Sequence, residues 1–413
     1  MTNLIDVLKR KKMLLGSSSE LRPLIPNKVD YFAKMYLLLS LICNLRCSYC
    51  TIRHNVKNAK NVLLTEREMA NSLELFFSDL EHERPKEITL YGGEPLKNPV
   101  VMRRFFDLIS PYQKSNNLKI TIITNGTLFT EEWVEIFRKH NVFVIVSVDG
   151  TEEIHNKYRV DENGKGSFSR VMEGFELMRN SGLKKGISLV ITPHNINKLK
   201  EIVHFFKENL SIDSVGFTIG HLEPLDIGYF DDTFVKRIID ALDYCAEIQL
   251  WNEQLMKKVK FLIDGKTRFF GCPVSEGGCM IRILPGGDIS LCENFGLRNL
   301  CILGNVNNNL SKSDVVGHRY LVEWYSRYFT NNGECRRCKS ISICGGGCPY
   351  DAWLKNRDMM SVEERNCLIC NGIVDWYVQK LYEKSVQLFD PKQDVYWCPP
   401  KDVRCSVIPA RDL

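Results

Sequence analysis

The chain has 413 residues, which is enough for one large domain and one or two smaller ones. Hydrophobic residues make up 44% and charged residues 25%, and the net charge of +5 is too small to call for a nucleic-acid partner. No apolar stretch is long enough for a signal peptide or a membrane span, the longest being residues 35–42. We therefore expect a cytoplasmic protein that binds neither membrane nor nucleic acid.

Segments typical of strands and of helices alternate over the first half of the chain. Six apolar runs, each stopped by glycine or a polar turn, predict buried strands: "YLLLSLI", "EITLYGG", "KITIITNG", "VFVIVSVDG", "GISLVIT" and "DSVGFTIG". Amphipathic stretches between them predict helices at residues 66–80, 100–112, 131–140, 168–181 and 195–209. This alternation predicts an α/β barrel, open or closed, with its reactive groups on loops beyond the carboxyl ends of parallel strands.

The pattern changes after residue 230. One long helix is predicted over residues 231–259, and residues 272–370 are then rich in glycine and cysteine. A hairpin is predicted in "IRILPGGDISLC", around Pro285, Gly286 and Gly287, and a last amphipathic helix over residues 372–388. Because little periodic apolar sequence is available between 272 and 370, we expect bound metal to supply part of the folding energy there.

The chain contains 16 cysteines, and they are strongly grouped. Without an export signal, grouped thiolates indicate metal rather than disulfides. The first group, "CNLRCSYC", follows the first predicted strand and places Cys43, Cys47 and Cys50 at C-x3-C-x2-C. Structural zinc takes four closed ligands, whereas three thiolates can hold a [4Fe–4S] cluster and leave one iron open. The loop "YGGEP" adds two glycines that let the backbone approach a ligand, and a carboxylate able to receive an ammonium group.

These motifs resemble the radical S-adenosylmethionine (SAM) superfamily over residues 36 to about 220. The resemblance implies a partial (β/α)6 TIM-type barrel in which Cys43, Cys47 and Cys50 hold three irons of a [4Fe–4S] cluster and SAM chelates the fourth. Reductive cleavage of SAM then gives a 5′-deoxyadenosyl radical that abstracts a substrate hydrogen. The candidate SAM contacts are Tyr49 near the adenine, Gly92, Gly93 and Glu94 at the methionyl amine, Ser147 and Asp149 at the ribose and methionyl groups, Arg159 at the carboxylate, and Asn125. Turn chemistry before glycine is an equal alternative for Asn125 and Asp149.

A second cysteine group, "CRRCKSISICGGGC", has the spacing C-x2-C-x5-C-x3-C. It resembles the SPASM extension, which holds two auxiliary [4Fe–4S] clusters in radical SAM enzymes that modify peptides. The ligands implied for the first auxiliary cluster are Cys272, Cys279, Cys292 and Cys348. Those implied for the second are Cys335, Cys338, Cys344 and Cys367, with Cys370 as an alternative to Cys367. A pair of zinc ribbons is the alternative to both clusters, because the four-cysteine block is zinc-like.

The resemblance favours an enzyme that abstracts hydrogen from a residue of a ribosomally synthesised peptide and closes a C–C or thioether crosslink, with the auxiliary clusters accepting the second electron. One alternative is an anaerobic sulfatase maturase, which oxidises Ser or Cys to formylglycine. The stretch "CENF" is similar to the "CDFY"-like segment of that subfamily and makes Glu293 either a general base or a solvated hairpin residue. Glu in place of Asp, and "TIR" after Cys50, depart from that subfamily's pattern. A non-enzymatic iron–sulfur electron carrier is the third hypothesis, but it leaves "GGEP" and "SVDG" without a role.

The expected organisation is an N-terminal segment (1–35), a radical SAM core (36–228), a connecting helix (229–270), a SPASM domain (271–370) and a C-terminal helix and tail (371–413). The expected partners are a precursor peptide or protein and an electron donor such as a flavodoxin or ferredoxin. About 35 residues before the first strand are too few for a winged-helix leader-binding module, so leader recognition would rest on a separate protein or on the barrel. Residues 28–34 and the tail after residue 388 are candidates to line a substrate channel.

Overall fold

The computed structural model describes residues 31–56, 62–78, 85–115, 118–221, 230–263, 272, 279–327 and 332–383. The strands in chain order are β1 (Phe32–Ser40), β2 (Lys86–Gly92), β3 (Leu118–Thr124), β4 (Phe143–Ser147), β5 (Lys185–Ile191), β6 (Ser214–Ile219), β7 (Trp251–Asn252), β8 (Cys279–Ile283), β9 (Asp288–Ser290) and β10 (Ile302–Asn305). The helices are α1 (Thr51–Asn55), α2 (Glu66–Phe77), α3 (Pro99–Ser115), α4 (Glu131–Lys139), α5 (Glu152–Tyr158), α6 (Phe168–Met178), α7 (Leu199–Leu210), α8 (Asp232–Glu247), α9 (Glu253–Ile263), α10 (Glu293–Gly296), α11 (Lys312–Val316), α12 (Arg319–Ser326), α13 (Ile341–Cys344), α14 (Pro349–Asn356) and α15 (Glu364–Glu383).

These elements form two compact units. The first, called here the barrel unit, comprises the described residues of 28–227 and 278–324. The second, called here the cysteine-rich unit, comprises the described residues of 228–277 and 325–413. The predicted five-segment organisation stays a prediction.

The barrel unit is built on one sheet whose strand order is β10-β9-β8-β1-β2-β3-β4-β5-β6. Strands β1 to β6 are neighbours in chain order and pair in parallel, while β8 pairs in parallel with β1 on the other side. At least one helix lies between each successive pair from β1 to β6, as crossover connections require. The predicted α/β class is therefore confirmed, and no pairing among the described residues of this unit closes the sheet.

The two faces of the sheet differ in polarity. On β1, the fully buried Met35, Leu37 and Leu39 alternate with Lys34 and Tyr36, which are half-buried. Because side chains alternate across a strand, the first set lies on the face that builds the apolar core and the second on the opposite face. The first half of β1 therefore presents polar and aromatic side chains opposite the core, and the fully buried Leu38 follows them on the same face.

The predicted hairpin is confirmed. Strands β8 and β9 pair antiparallel, with Arg282 opposite Ser290 and Ile283 opposite Ile289. The turn between them uses positive φ angles at Gly286 and Gly287, which glycine adopts without a side-chain penalty.

The prediction of one helix over residues 231–259 is wrong. Helix α8 ends at Glu247, and Gln249 takes a left-handed φ of 54°. The Leu250 N–H returns to the Cys245 carbonyl at 2.9 Å, which closes the helix as a glycine C-cap normally does. The buried Leu250 and Trp251 fix this turn by packing, a cause that local sequence does not reveal.

The last helix also differs from its prediction. It begins at Glu364 rather than at residue 372, so Cys367 and Cys370 lie within one helix about one turn apart. Within the described residues, no helix is long and apolar enough to cross a membrane.

Candidate active site

The loop that carries Cys43, Cys47 and Cys50 connects β1 to α1 at the carboxyl end of the sheet. Backbone N–H groups point at two of its sulfurs: Leu45 donates to Cys43 Sγ at 3.3 Å, and Arg53 donates to Cys50 Sγ at 3.4 Å. The second bond caps α1, which places Cys50 at the helix N-terminus. Such donors stabilise sulfur ligands that carry negative charge.

The three thiols lie close enough for their charges to repel one another. Burial raises the pKa of Cys43 to about 11, and that of Cys47 to about 12 despite the opposing effect of nearby Arg159. Within the described residues none of the cysteines forms a disulfide. Three adjacent thiols that are costly to ionise alone are chemically suited to a bound metal cluster.

Gly92 and Gly93 let the end of β2 pack directly against the cysteine loop. A Cβ at Gly92 would lie 2.2 Å from the Ser40 carbonyl oxygen, and one at Gly93 would lie 2.6 Å from that of Ile42. The Gly93 N–H donates to Ser40 O at 2.6 Å. The expected contact of these glycines with SAM stays a prediction; the structure shows that their lack of a side chain admits the backbone of the cysteine loop.

Glu94 is fully buried and already holds three hydrogen bonds. Its Oε1 accepts from Thr124 Oγ1 at 2.7 Å and from the Leu96 N–H at 3.1 Å, and its Oε2 accepts from the Asn125 N–H at 2.7 Å. Burial raises its pKa to about 7 in spite of these donors. The carboxylate ties the turn after β2 to the turn after β3.

Asn125 joins that second turn to the cysteine loop. Its Nδ2 donates to Asn44 Oδ1 at 2.9 Å and lies 3.6 Å from Cys43 Sγ. Its Oδ1 accepts from the Thr127 N–H at 3.0 Å, the turn interaction expected of an Asn before glycine. The side chain therefore serves both the turn and the loop.

Tyr49, Asp149 and Arg159 form one buried network. Arg159 donates from Nε to Asp149 Oδ2 at 2.8 Å and from Nη2 to Oδ1 at 3.2 Å, and the Tyr49 hydroxyl also donates to Oδ2. The guanidinium stands 5.3 Å from the Tyr49 ring centroid. Burial disfavours the Arg159 charge, but Asp149 outweighs it and raises the Arg159 pKa. The structure thus brings together three residues predicted as separate SAM contacts.

Two residues that the sequence analysis missed hold the Asp149 turn in place. His155 lies within 3.5 Å of the Asp149 N–H through Nδ1 and 2.9 Å from Ser167 Oγ through Nε2. Burial lowers its pKa to about 3, so the ring is neutral. Asn195 donates to the Asp149 carbonyl at 3.3 Å. Neither residue stands out in the sequence, because His155 lies in the polar stretch "EEIHNKY" and Asn195 in the polar stretch "TPHNINK".

Ser147 ends β4, where it is half-buried and pairs in register with Ser188 of β5. The Ser188 hydroxyl lies 3.4 Å from the Thr218 hydroxyl of β6. The carboxyl ends of β4 to β6 therefore offer hydroxyl groups able to bind a polar ligand such as a ribose.

Glu293 lies at the start of α10, directly after the hairpin, and pairs with Arg282 of β8. Burial alone would raise its pKa, but the guanidinium outweighs that effect and lowers it. Arg282 also stacks 5.2 Å from the Tyr36 ring centroid, and Tyr36 packs edge-on against Tyr91. Burial raises the pKa of Tyr91, and the nearby charges of Glu293 and Cys50 raise it further. Glu293 is therefore an ionised carboxylate near the cysteine loop.

The hairpin is also bonded to the helix that follows Cys50. Asn55 of α1 donates to Asn294 Oδ1 at 3.2 Å and accepts from Arg298 Nε at 2.9 Å. Asn294 Nδ2 lies 3.1 Å from His221 Nε2. These contacts position Glu293 relative to the loop.

In the cysteine-rich unit, Cys344 lies against both Cys367 and Cys370. Cys335 and Cys338 are also charged neighbours of Cys367. The charged neighbours of Cys370 are Cys344 and Lys258. The four cysteines predicted for the second auxiliary cluster therefore lie together, with Cys370 at one side.

The cysteines predicted for the first auxiliary cluster belong to both units: Cys272 and Cys348 to the cysteine-rich unit, Cys279 and Cys292 to the barrel unit. Cys272 and Cys348 both lie near the buried Arg327, whose pKa burial lowers. Cys292 precedes α10 in the barrel unit. Cys279, at the start of β8, is fully buried, and burial raises its pKa to about 12. Their common role as ligands stays a prediction.

A loop of three thiols beside glycine-lined and carboxylate-bearing turns, at the carboxyl end of a parallel sheet, is the arrangement expected of a protein that binds an iron–sulfur cluster. The family model described as the "Radical SAM superfamily" matches residues 37–206. A cysteine-type anaerobic sulfatase-maturating enzyme of Clostridium novyi (strain NT) is 33% identical over 329 residues, which cover 74% of this chain and 84% of the relative. The chain belongs to the radical SAM superfamily.

Two further comparisons agree with this assignment. The radical SAM cyclopropyl synthase TigE of Paramaledivibacter caminithermalis is 23% identical over 86% of this chain and 74% of the relative. The solved structure titled "Native anSMEcpe with bound AdoMet and Cp18Cys peptide" matches with a TM-score of 0.74 at 19% identity, over 86% of this chain and 99% of that one. The chain is thus a radical SAM enzyme related both to sulfatase-maturating enzymes and to a radical SAM cyclopropyl synthase, and its family implies SAM and a [4Fe–4S] cluster.

Proposed function

We propose that this enzyme oxidises a Ser or Cys side chain of a protein substrate to formylglycine, as an anaerobic sulfatase maturase. The observation that carries the proposal is Glu293, a carboxylate kept ionised by Arg282 and located with Tyr91 near Cys50. Relatives named as sulfatase maturases, one of them 33% identical, add support. The sequence alone favours a crosslinking peptide maturase, whereas the buried pairing of Glu293 with Arg282 favours a sulfatase maturase.

The residues around the cysteine loop fit the expected cofactors. Cys43, Cys47 and Cys50 are adjacent free thiols with backbone donors at their sulfurs, which suits three ligands of a [4Fe–4S] cluster. Tyr49, Asn125, Ser147, Asp149 and Arg159 surround the same end of the sheet and would bind SAM, with Gly92, Gly93 and Glu94 shaping its floor. When bound, SAM and this cluster supply the radical that removes a hydrogen atom from the substrate.

The protein's own contribution is to take up the proton. After hydrogen abstraction at the substrate Cβ, the hydroxyl or thiol proton passes to the Glu293 carboxylate, and one electron leaves the substrate, giving an aldehyde from Ser or a thioaldehyde from Cys. Water then replaces sulfur in the second case and releases sulfide. Arg282 keeps Glu293 deprotonated until it receives the substrate proton.

For the departing electron we propose two auxiliary [4Fe–4S] clusters, as the resemblance implies. Cys335, Cys338, Cys344 and Cys367 would hold the second; their proximity supports this set. The first would be held by Cys272, Cys279, Cys292 and Cys348. An electron donor of the flavodoxin or ferredoxin class would supply the electron that starts each turnover.

A crosslink-forming peptide maturase is the second candidate, supported by the similarity to the cyclopropyl synthase TigE. Closing a C–C or thioether bond also removes two hydrogen atoms from the peptide. One leaves by abstraction and the other leaves as one proton and one electron, so this reaction would use the same Glu293. It differs in its product, which contains a new covalent bond within the peptide and no aldehyde.

The test is anaerobic reaction with SAM, reductant and synthetic peptides containing a sulfatase-type Ser or Cys. Formylglycine, detected by mass and by hydrazide labelling, is the expected product, and it should be lost in Glu293→Gln while 5′-deoxyadenosine still forms. A peptide that loses two hydrogen atoms without gaining an aldehyde would instead support the crosslinking candidate. No 5′-deoxyadenosine would support the electron-carrier hypothesis.

A further inference from the structure

A lysine is buried among the cysteines of the cysteine-rich unit. Lys258 lies on α9 and is 7% exposed. Its Nζ donates to Cys370 Sγ at 3.2 Å and to Asn366 Oδ1 at 3.0 Å. Within the described part of the chain it forms no ion pair with a carboxylate. A buried ammonium group is costly unless a negative charge compensates it, so these surroundings call for an anionic partner.

The contacts of Cys370 and Asn366 connect Lys258 to the sulfur of Cys344. Cys370 lies against Cys344, and Asn366 donates from Nδ2 directly to Cys344 Sγ at 3.0 Å. Asn366 and Cys370 are four residues apart on α15 and therefore share one face of the helix. Lys258, Asn366 and Cys370 thus form a hydrogen-bonded group on the Cys344 side of the predicted second auxiliary cluster.

We propose that Lys258 is the counter-charge of that cluster and makes it the preferred acceptor of the electron that leaves the substrate. The inference rests on the auxiliary clusters of the proposed function. A [4Fe–4S] cluster with four thiolate ligands is anionic and gains one more negative charge on reduction. A nearby ammonium group and N–H···S hydrogen bonds stabilise the reduced form and so raise the reduction potential.

The electron count is balanced. The substrate-derived radical loses one proton to Glu293 and one electron to this cluster, which is reduced once and then reoxidised by a carrier of the flavodoxin or ferredoxin class. In this arrangement Cys367 is the fourth ligand, and Cys370 is the thiol between Lys258 and Cys344.

The experiment uses the full chain with Cys43→Ala, Cys47→Ala and Cys50→Ala, so that only auxiliary clusters remain. Redox titration followed by electron paramagnetic resonance would compare Lys258→Gln, Lys258→Arg, Asn366→Ala and the control Lys257→Gln, a half-buried lysine on the same helix. We expect the midpoint potential of one cluster signal to fall in Lys258→Gln and Asn366→Ala. It should return towards the parent value in Lys258→Arg and stay unchanged in Lys257→Gln.

Unchanged potentials in Lys258→Gln and Asn366→Ala, with both clusters present, would overturn the role of Lys258 and leave the proposed function standing. Loss of the same cluster from Lys258→Gln and Lys258→Arg alike would also overturn it, because the charge would then be irrelevant. Loss from Lys258→Gln alone would support a counter-charge. Iron well below about eight per chain in the parent would contradict the auxiliary clusters themselves.

Discussion

The Arg159 guanidinium donates two hydrogen bonds to the Asp149 carboxylate, from Nε to Oδ2 at 2.8 Å and from Nη2 to Oδ1 at 3.2 Å. Asp149 in turn accepts from the Val190 N–H at 3.0 Å, so the pair bonds the loop after β4 to β5. Arg159 is therefore committed to positioning Asp149 and Tyr49. The resemblance implies that Arg159 also binds the carboxylate of SAM. That carboxylate would then share a guanidinium that is already paired with Asp149.

Arg159→Met should destabilise the protein strongly, because it leaves a buried carboxylate without its cation. Breaking such a pair costs about 3–5 kcal/mol. We expect a clear fall in melting temperature and weaker SAM binding, measured by thermal unfolding and by equilibrium dialysis.

Arg103→Met is the matched control, since Arg103 pairs with Glu132 at 2.7 Å on the surface. Solvent screens that pair, so its loss should leave melting and SAM binding close to the parent. Equal destabilisation by both variants would contradict the importance assigned to the buried pair.

Gly92→Ala should disturb the cysteine loop. The residue has a φ of 137°, and its new Cβ would overlap the Ser40 carbonyl. Backbone strain alone costs about 1–3 kcal/mol, and the overlap adds to it. Lower iron content after anaerobic reconstitution, measured by iron assay, is the expected result. In the control Gly182→Ala, φ is 75° but nothing lies within 4 Å of the new Cβ, so iron content should be normal.

Arg282→Met should move the acid limb of the pH–rate profile to higher pH. In the parent, Arg282 holds the Glu293 pKa below its ordinary value, so the base stays ionised until the pH falls below that value. Without the guanidinium, burial raises the pKa, and activity should fall at higher pH. The measurement is the initial rate of aldehyde formation between about pH 5 and about pH 8, the range over which folded proteins tend to be most stable. An unshifted limb would remove Glu293 as the base.

The same depressed pKa has a consequence for stability. A carboxylate whose pKa is lower in the folded than in the unfolded chain stabilises the fold above its unfolded pKa, and that contribution is lost as the pH falls through the folded pKa. Glu293→Gln should therefore flatten the acid side of the stability profile of the cluster-free protein. Chemical unfolding at a series of acidic pH values would measure the effect.

Cys367→Ala and Cys370→Ala should differ in iron content. Cys367 adjoins Cys335, Cys338 and Cys344, so its loss should remove about four irons, the content of one cluster. Cys370→Ala should retain them, because the charged neighbours of Cys370 are Cys344 and Lys258, whereas those of Cys367 include Cys335 and Cys338. The reverse result would make Cys370 the ligand.

The chemistry of the first site was predictable because its three cysteines are local in sequence and follow a recognisable strand. The six parallel strands were predictable for the same reason, since each is one apolar run. Contacts between segments that are distant in sequence could not be predicted in this way. Arg282 meets Tyr36 through the register of β1 with β8, and Lys258 meets Asn366 across more than a hundred residues. The break after α8 was missed because Gln249 adopts a conformation normally marked by glycine.

The close approach of Gly92 and Gly93 to Ser40 and Ile42 has a further consequence. These contacts join backbone to backbone, so they shape the start of the cysteine loop through strand pairing rather than through a bound cluster. Much of the conformational entropy of the ligands is therefore lost when the barrel unit folds. Cluster assembly at this loop can then follow folding, in contrast to small metal domains that remain unfolded until they bind their ion.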